Sequence, residues 1–102
     1  MKTNYIALLD GHIDSLCRVL AAFRANDKNA IEFLNKAKLA LGARHQAQDE
    51  WGSEYYEPAV YNALATISEA IEQNEYNEQL EACIIAAKNE LTMIRDHLIQ
   101  IS

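Results

Sequence analysis

The stretch LEACIIAAKNELTMIRDHLIQI, residues 80–101, decides the fold. Its Leu80, Ile84, Ala87, Leu91, Ile94, Leu98 and Ile101 recur at intervals of 4, 3, 4, 3, 4 and 3 residues. An α-helix turns once in about 3.6 residues, so this spacing stacks the seven side chains on one face. Asn77 stands where an N-cap is needed.

The same code runs through the rest of the chain. From about Asn4 to Ala25, Ile6, Leu9, Ile13, Leu16, Leu20 and Phe23 form a seam, broadened by Tyr5, Leu8, Cys17 and Val19. Thr3 is a plausible N-cap there, and Gly11 costs about 1 kcal/mol relative to alanine, which the seam overrides. A third helix carries Val60, Leu64, Ile67 and Ile71, with Pro58 expected in its first turn and Asn74 at its end.

The second helix is the weakest. Asp27 or Asn29 caps it, Asn29 to Glu32 has capping-box spacing, and Ile31, Phe33, Leu34, Ala37, Ala40 and Leu41 make its stripe. The helix either stops at Gly42 as the C′ residue or runs on to about Asp49. Continuation is the expectation, because a stop leaves a connection of more than a dozen residues, uncommon in a compact domain. It requires Arg44 to snorkel its head to the surface.

The links at 26–28 and 74–77 are short, and short links join antiparallel neighbours. The expected architecture is therefore all-α: a single domain over 1–102, folded as an antiparallel up-down-up-down four-helix bundle. Ile13, Leu16, Leu20, Leu64, Ile67, Leu91 and Ile94 should be its most buried residues. One proline and three glycines in 102 residues agree with a helical chain. The apolar run after Met1 stops at Asp10, and no stretch nears the roughly 20 apolar residues of a membrane span. Two cysteines make no disulfide framework, so reduced thiols and a cytoplasmic location are expected. Cys17 and Cys83 flank the seams of antiparallel neighbours and are expected as small buried hydrophobes in one layer.

The functional signal is charge segregation. Residues 45–87 hold nine acids and no lysine or arginine, while residues 1–44 hold seven bases against four acids. The formal net charge of −6 is thus an acidic middle beside a basic first part, a statement about surface potential and partners. Within the acidic part, Asp49 to Pro58 packs Trp51, Tyr55 and Tyr56 among Asp49, Glu50, Glu54 and Glu57. Aromatics give large contact area at low entropic cost and are enriched in binding hot spots. Alternatively, Trp51 and one tyrosine close the end of the core. Tyr55 and Tyr56 are adjacent, so both cannot face inward on a helix.

The reading is a non-enzymatic protein that binds a basic protein partner through Glu50, Trp51, Glu54, Tyr55 or Tyr56, and Glu57, with no cofactor. Direct nucleic-acid binding needs a basic stripe and is not expected. An acidic aromatic surface does suit the nucleic-acid groove of another protein, and in general character the chain looks like small acidic helical inhibitors. A homodimer is also open, through Leu8, Val19, Leu39, Ile85, Met93 and Ile99, which fall beside or outside the seams.

Catalytic alternatives are thinner. Glu69, Glu72, Glu75, Glu78 and Glu81 fall on every third residue, and facing carboxylate pairs can hold Mg²⁺ for phosphate chemistry. In this the pairs Glu69/Glu72 and Glu78/Glu81 resemble those of the helical nucleotide pyrophosphohydrolases, whose pairs face inward and lie further apart in sequence. The resemblance implies a metal-dependent phosphohydrolase. The spacing itself places Glu69 and Glu78 away from the seams, as on a solvated face. The three histidines lack the Glu-x-x-His signature of helical di-iron sites, and His45 with Asp49 is one i, i+4 pair where a metal needs three or four groups. No nucleophile elbow, basic residue four positions from either cysteine, or glycine-rich phosphate loop is present.

Overall fold

The computed structural model describes residues 4–43, 51–71 and 78–101, apart from the side chains of 69–71. These residues form four helices: α1 (Tyr5–Arg24), α2 (Ala30–Gly42), α3 (Ser53–Ile71) and α4 (Glu78–Ile101). Among the described residues there is no strand. Around the ring, α1 packs on α2 and α4, and α3 packs on α2 and α4. The diagonal pair α1 and α3 meets only slightly, and among the described residues α2 and α4 do not meet. This is the neighbour pattern of an up-down-up-down bundle.

Polar contacts fix the directions. Arg24 at the end of α1 reaches Glu81 at the start of α4 at 2.8 Å, and Arg95 late in α4 reaches Asp10 early in α1 at 2.9 Å. On α3 and α4, Asn62 donates to Glu90 at 3.2 Å, and the Tyr55 and His97 rings meet edge-on at 4.8 Å. Both pairs of helices are antiparallel.

Local chemistry explains most of the ends. Asn4 caps α1, its Oδ1 accepting from the Ala7 N–H at 3.0 Å, so the cap is Asn4 rather than Thr3, which lies outside the described residues. The α1–α2 turn puts Asn26 at φ 54°, a left-handed conformation that asparagine tolerates. Asp27 Oδ1 then accepts from the Asn29 N–H at 2.8 Å. Asn29 precedes α2 but makes no side-chain cap bond, so the capping box does not form. Pro58 is the sixth residue of α3, not in its first turn. It is exposed, and on that side water can serve the Glu54 carbonyl left without an N–H donor. The caps expected at Asn74 and Asn77 lie outside the described residues.

The core is built by the aliphatics Leu9, Leu16, Leu34, Ile67, Ile84, Leu91 and Leu98, with Val19, Leu20 and Phe23. Leu16, Leu20, Ile67 and Leu91 are buried as the spacing predicts, whereas Ile13, Leu64 and Ile94 are only half-buried. In α1 the buried stripe is turned toward Tyr5, His12 and Val19, which leaves Ile6 and Ile13 on its flank. In α3, Ala59 and Ala63 take inward positions while Leu64 moves to the side. Small residues let helix backbones approach closely, and a reading weighted by side-chain size passes over them. In α2 the buried residues are Ala30, Leu34, Ala37 and Leu41, with Ile31, Phe33 and Ala40 exposed. Cys17 is exposed and Cys83 half-buried, both as free thiols, so Cys17 is not the buried hydrophobe expected.

Helix α2 departs most from the sequence reading. It stops at Gly42, and Ala43 is already extended at φ −66°, ψ 130°, so the expected continuation to about Asp49 does not occur. Gly42 is the last helical residue rather than the C′ position. A Cβ on it would lie 3.7 Å from Leu64, so α2 ends against the middle of α3. With 13 residues at about 1.5 Å each, α2 fills only part of its corner, whereas the 24 residues of α4 run nearly the length of the 39 Å long axis. Among the described residues the bundle is thus four-helical at one end and three-helical at the other. At the three-helical end Gly52, at φ 91°, brings the backbone against Tyr5 and Leu98, where a Cβ would come within 3.5 and 3.4 Å.

Candidate functional site

Residues 53–58 are not a connecting segment but the first turns of α3, and the helical period sorts them. Tyr56 points inward and is 2% exposed. Its hydroxyl and His12 Nε2 share a hydrogen bond of 3.0 Å, and its ring lies 4.8 Å from that of Tyr5. Burial, with Tyr5 and Glu57 nearby, pushes the Tyr56 phenol up to about 12, because its charged form is poorly solvated there. Tyr56 therefore belongs to the core and leaves Tyr55 as the aromatic of this pair at the surface. Tyr55 is half-buried beside His97.

Glu54 and Glu57 are exposed, and neither forms an ion pair among the described residues. Trp51, just before the helix, is 50% exposed, so it does not close the core end; Gly52 beside it and Tyr56 do. Glu50 lies outside the described residues. The outer side of α3 carries one further aromatic, Tyr61, 72% exposed. It follows Glu57 by four residues and Glu54 by seven, so the three share a face. Tyr61 was legible by that spacing once 53–58 is taken as helix. His12 has no comparable sequence signal, because a single histidine inside an apolar seam reads equally well on either side of it.

Across residues 51–61, α3 and its leading turn thus present Trp51, Glu54, Glu57 and Tyr61 outward, with Tyr55 on the flank. The same segment contains no cation to neutralise the two carboxylates. The arrangement offers two charges and two large aromatic surfaces on a convex ridge.

The other sequence candidates disperse. Glu81 is held by Arg24 of α1, Glu78 is exposed, and the Glu69, Glu72 and Glu75 side chains lie outside the described residues, as do His45 and Asp49. Among the described residues no three His, Cys, Asp or Glu side chains group closely enough to hold a metal ion. The six residues expected to share an apolar face do not form one. Val19 is buried, Leu8 and Ile85 are half-buried, and exposed Leu39 sits on α2, diagonally across the bundle from Met93 and Ile99 on α4. No helix of the described residues is long and apolar enough to cross a membrane. No protein-family model, curated protein or solved structure matches the chain.

Proposed function

We propose that this protein is a non-enzymatic interaction module that docks a basic protein surface on the outer face of α3. The observation that carries the reading is the conjunction on one ridge of exposed Trp51 and Tyr61 with Glu54 and Glu57, which are exposed and form no ion pair among the described residues. Large exposed aromatics lose water on binding and set the lifetime of a complex, whereas unneutralised charge steers encounter and sets the association rate. Neither feature helps the fold. The phosphohydrolase alternative has less support, because Glu81 is engaged by Arg24 of α1.

The test is capture from the native cell followed by binding kinetics with the captured partner. Glu54→Lys with Glu57→Lys is expected to slow association about tenfold or more at low salt and to flatten its salt dependence. Trp51→Ala or Tyr61→Ala is expected to speed dissociation with little change in the association rate. Association that is indifferent to the double reversal at every salt concentration refutes the reading and leaves the acids as a solubilising face.

A further inference from the structure

A groove of about 300 Å³ lies between α1 and α2 on the outside of the bundle, lined by Ser15, Arg18, Phe33, Lys36 and Ala37. Its floor is apolar: Ala37 is buried, and Phe33 is 38% exposed, leaving an aromatic open to solvent. Its rim carries two cations, Arg18 and Lys36, with side chains 78% and 69% exposed. Among the described residues each is held only by the acid one turn earlier on its own helix, Asp14 at 3.1 Å and Glu32 at 3.5 Å. Such exposed pairs are weak and exchange partners readily. The groove is therefore a concave site with an aromatic floor and cations free to turn toward an incoming carboxylate.

The α3 ridge is its counterpart in shape and charge. It is convex where the groove is concave, and it carries carboxylates at Glu54 and Glu57 where the groove carries Arg18 and Lys36. It also offers Tyr61 and Trp51 to a site floored by Phe33. Both surfaces face outward from different sides of one bundle, so they cannot satisfy each other within a molecule. We propose that the chain associates head to tail with itself, the α3 ridge of one copy seated on the α1–α2 groove of the next. This rests on the reading of α3 as a docking ridge and names its partner as a second copy. Contacts of this kind join two different surfaces, so they close into a ring or run on as a filament rather than stopping at a two-fold dimer.

The test is sedimentation of the full chain over a range of concentrations at low and high salt. The wild type is expected to gain mass with concentration at low salt and to fall back toward 11.5 kDa at high salt. Arg18→Glu with Lys36→Glu, and separately Glu54→Lys with Glu57→Lys, are each expected to weaken self-association at least about tenfold by placing like charges opposite. An equimolar mixture of the two variants is expected to associate again, since each supplies the surface the other lacks. The four positions are exposed, and circular dichroism verifies that both variants stay helical. The milder pair Arg18→Gln with Lys36→Gln should weaken association in proportion. A wild type that remains a monomer throughout, association that survives the groove reversal, or a mixture that stays monomeric overturns the proposal. If the ridge variant loses a captured basic partner while the wild type never self-associates, the docking ridge stands and the head-to-tail assembly falls.

Discussion

The two ends of this bundle solve the same packing problem with different materials. Where α2 is present, four helices enclose Leu20, Phe23, Leu34, Ile67 and Ile84, an interior without a polar atom in its side chains. Past the end of α2, the described residues that fill the interior are Tyr5, His12 and Tyr56, with Gly52 bringing backbone against Tyr5 and Leu98. Long aromatic side chains span the gap but bring polar tips with them, and a buried polar tip is costly unless it is hydrogen-bonded. The His12–Tyr56 bond is the answer to that requirement. The first end depends on volume, and the second on geometry and protonation.

The largest test of the contrast is a cavity in the aliphatic part. Leu20→Ala or Leu91→Ala is expected to cost about 2–5 kcal/mol in denaturant unfolding, since both side chains are enclosed and their neighbours can collapse only partly. A loss under about 1 kcal/mol at both positions breaks the register described above.

Two glycines sharpen the comparison at the three-helical end. Gly52→Ala forces a side chain into a positive φ beside Tyr5 and Leu98, and a loss of about 1–3 kcal/mol is expected. Gly11 sits in α1, where an added methyl would meet nothing within 4 Å, so Gly11→Ala is expected to add up to about 1 kcal/mol through helix propensity alone. Opposite signs in thermal unfolding separate the glycine that the turn requires from the one that the helix merely tolerates.

An effect of similar size belongs to the phenol. Tyr56→Phe removes the bond to His12 and is expected to cost about 1 kcal/mol at neutral pH. The pH dependence follows from the raised pKa. Folding favours the neutral phenol, so its contribution is complete below about pH 10 and is lost as pH climbs from 10 toward 12. The wild type should therefore lose stability over that interval more steeply than Tyr56→Phe. Equal alkaline slopes show that the polar end is held by shape alone.

Some of this was legible beforehand because periodicity is a local property. The 4, 3 spacing of Leu80 to Ile101 needs no partner to be seen, and short links force antiparallel neighbours, so helix number, order and class follow from the chain. The charge boundary near residue 45 and the outward placement of Glu54 and Glu57 are local in the same way. Which neighbour completes each stripe is not local. Ile6 and Ile13 outrank Tyr5 and His12 in hydrophobicity, yet the latter are buried, because Tyr56 on the diagonal helix supplies a hydrogen bond to His12 and a ring to pack on Tyr5, which no reading of α1 contains. Likewise Leu64 outranks Ala59 and Ala63 until close helix approach makes small side chains the better fit.

By itself, then, the sequence determined four amphipathic helices, their antiparallel order and an acidic stretch without a cation, because each depends on residues within a few positions of one another. Only the tertiary structure decided that α2 stops at Gly42, that Tyr56 goes to the core while Tyr61 stays outside, and that Arg18, Phe33 and Lys36 frame a groove. Those outcomes depend on distances between helices, and the free energy of filling the space between them is a property of the assembled bundle, not of any one segment.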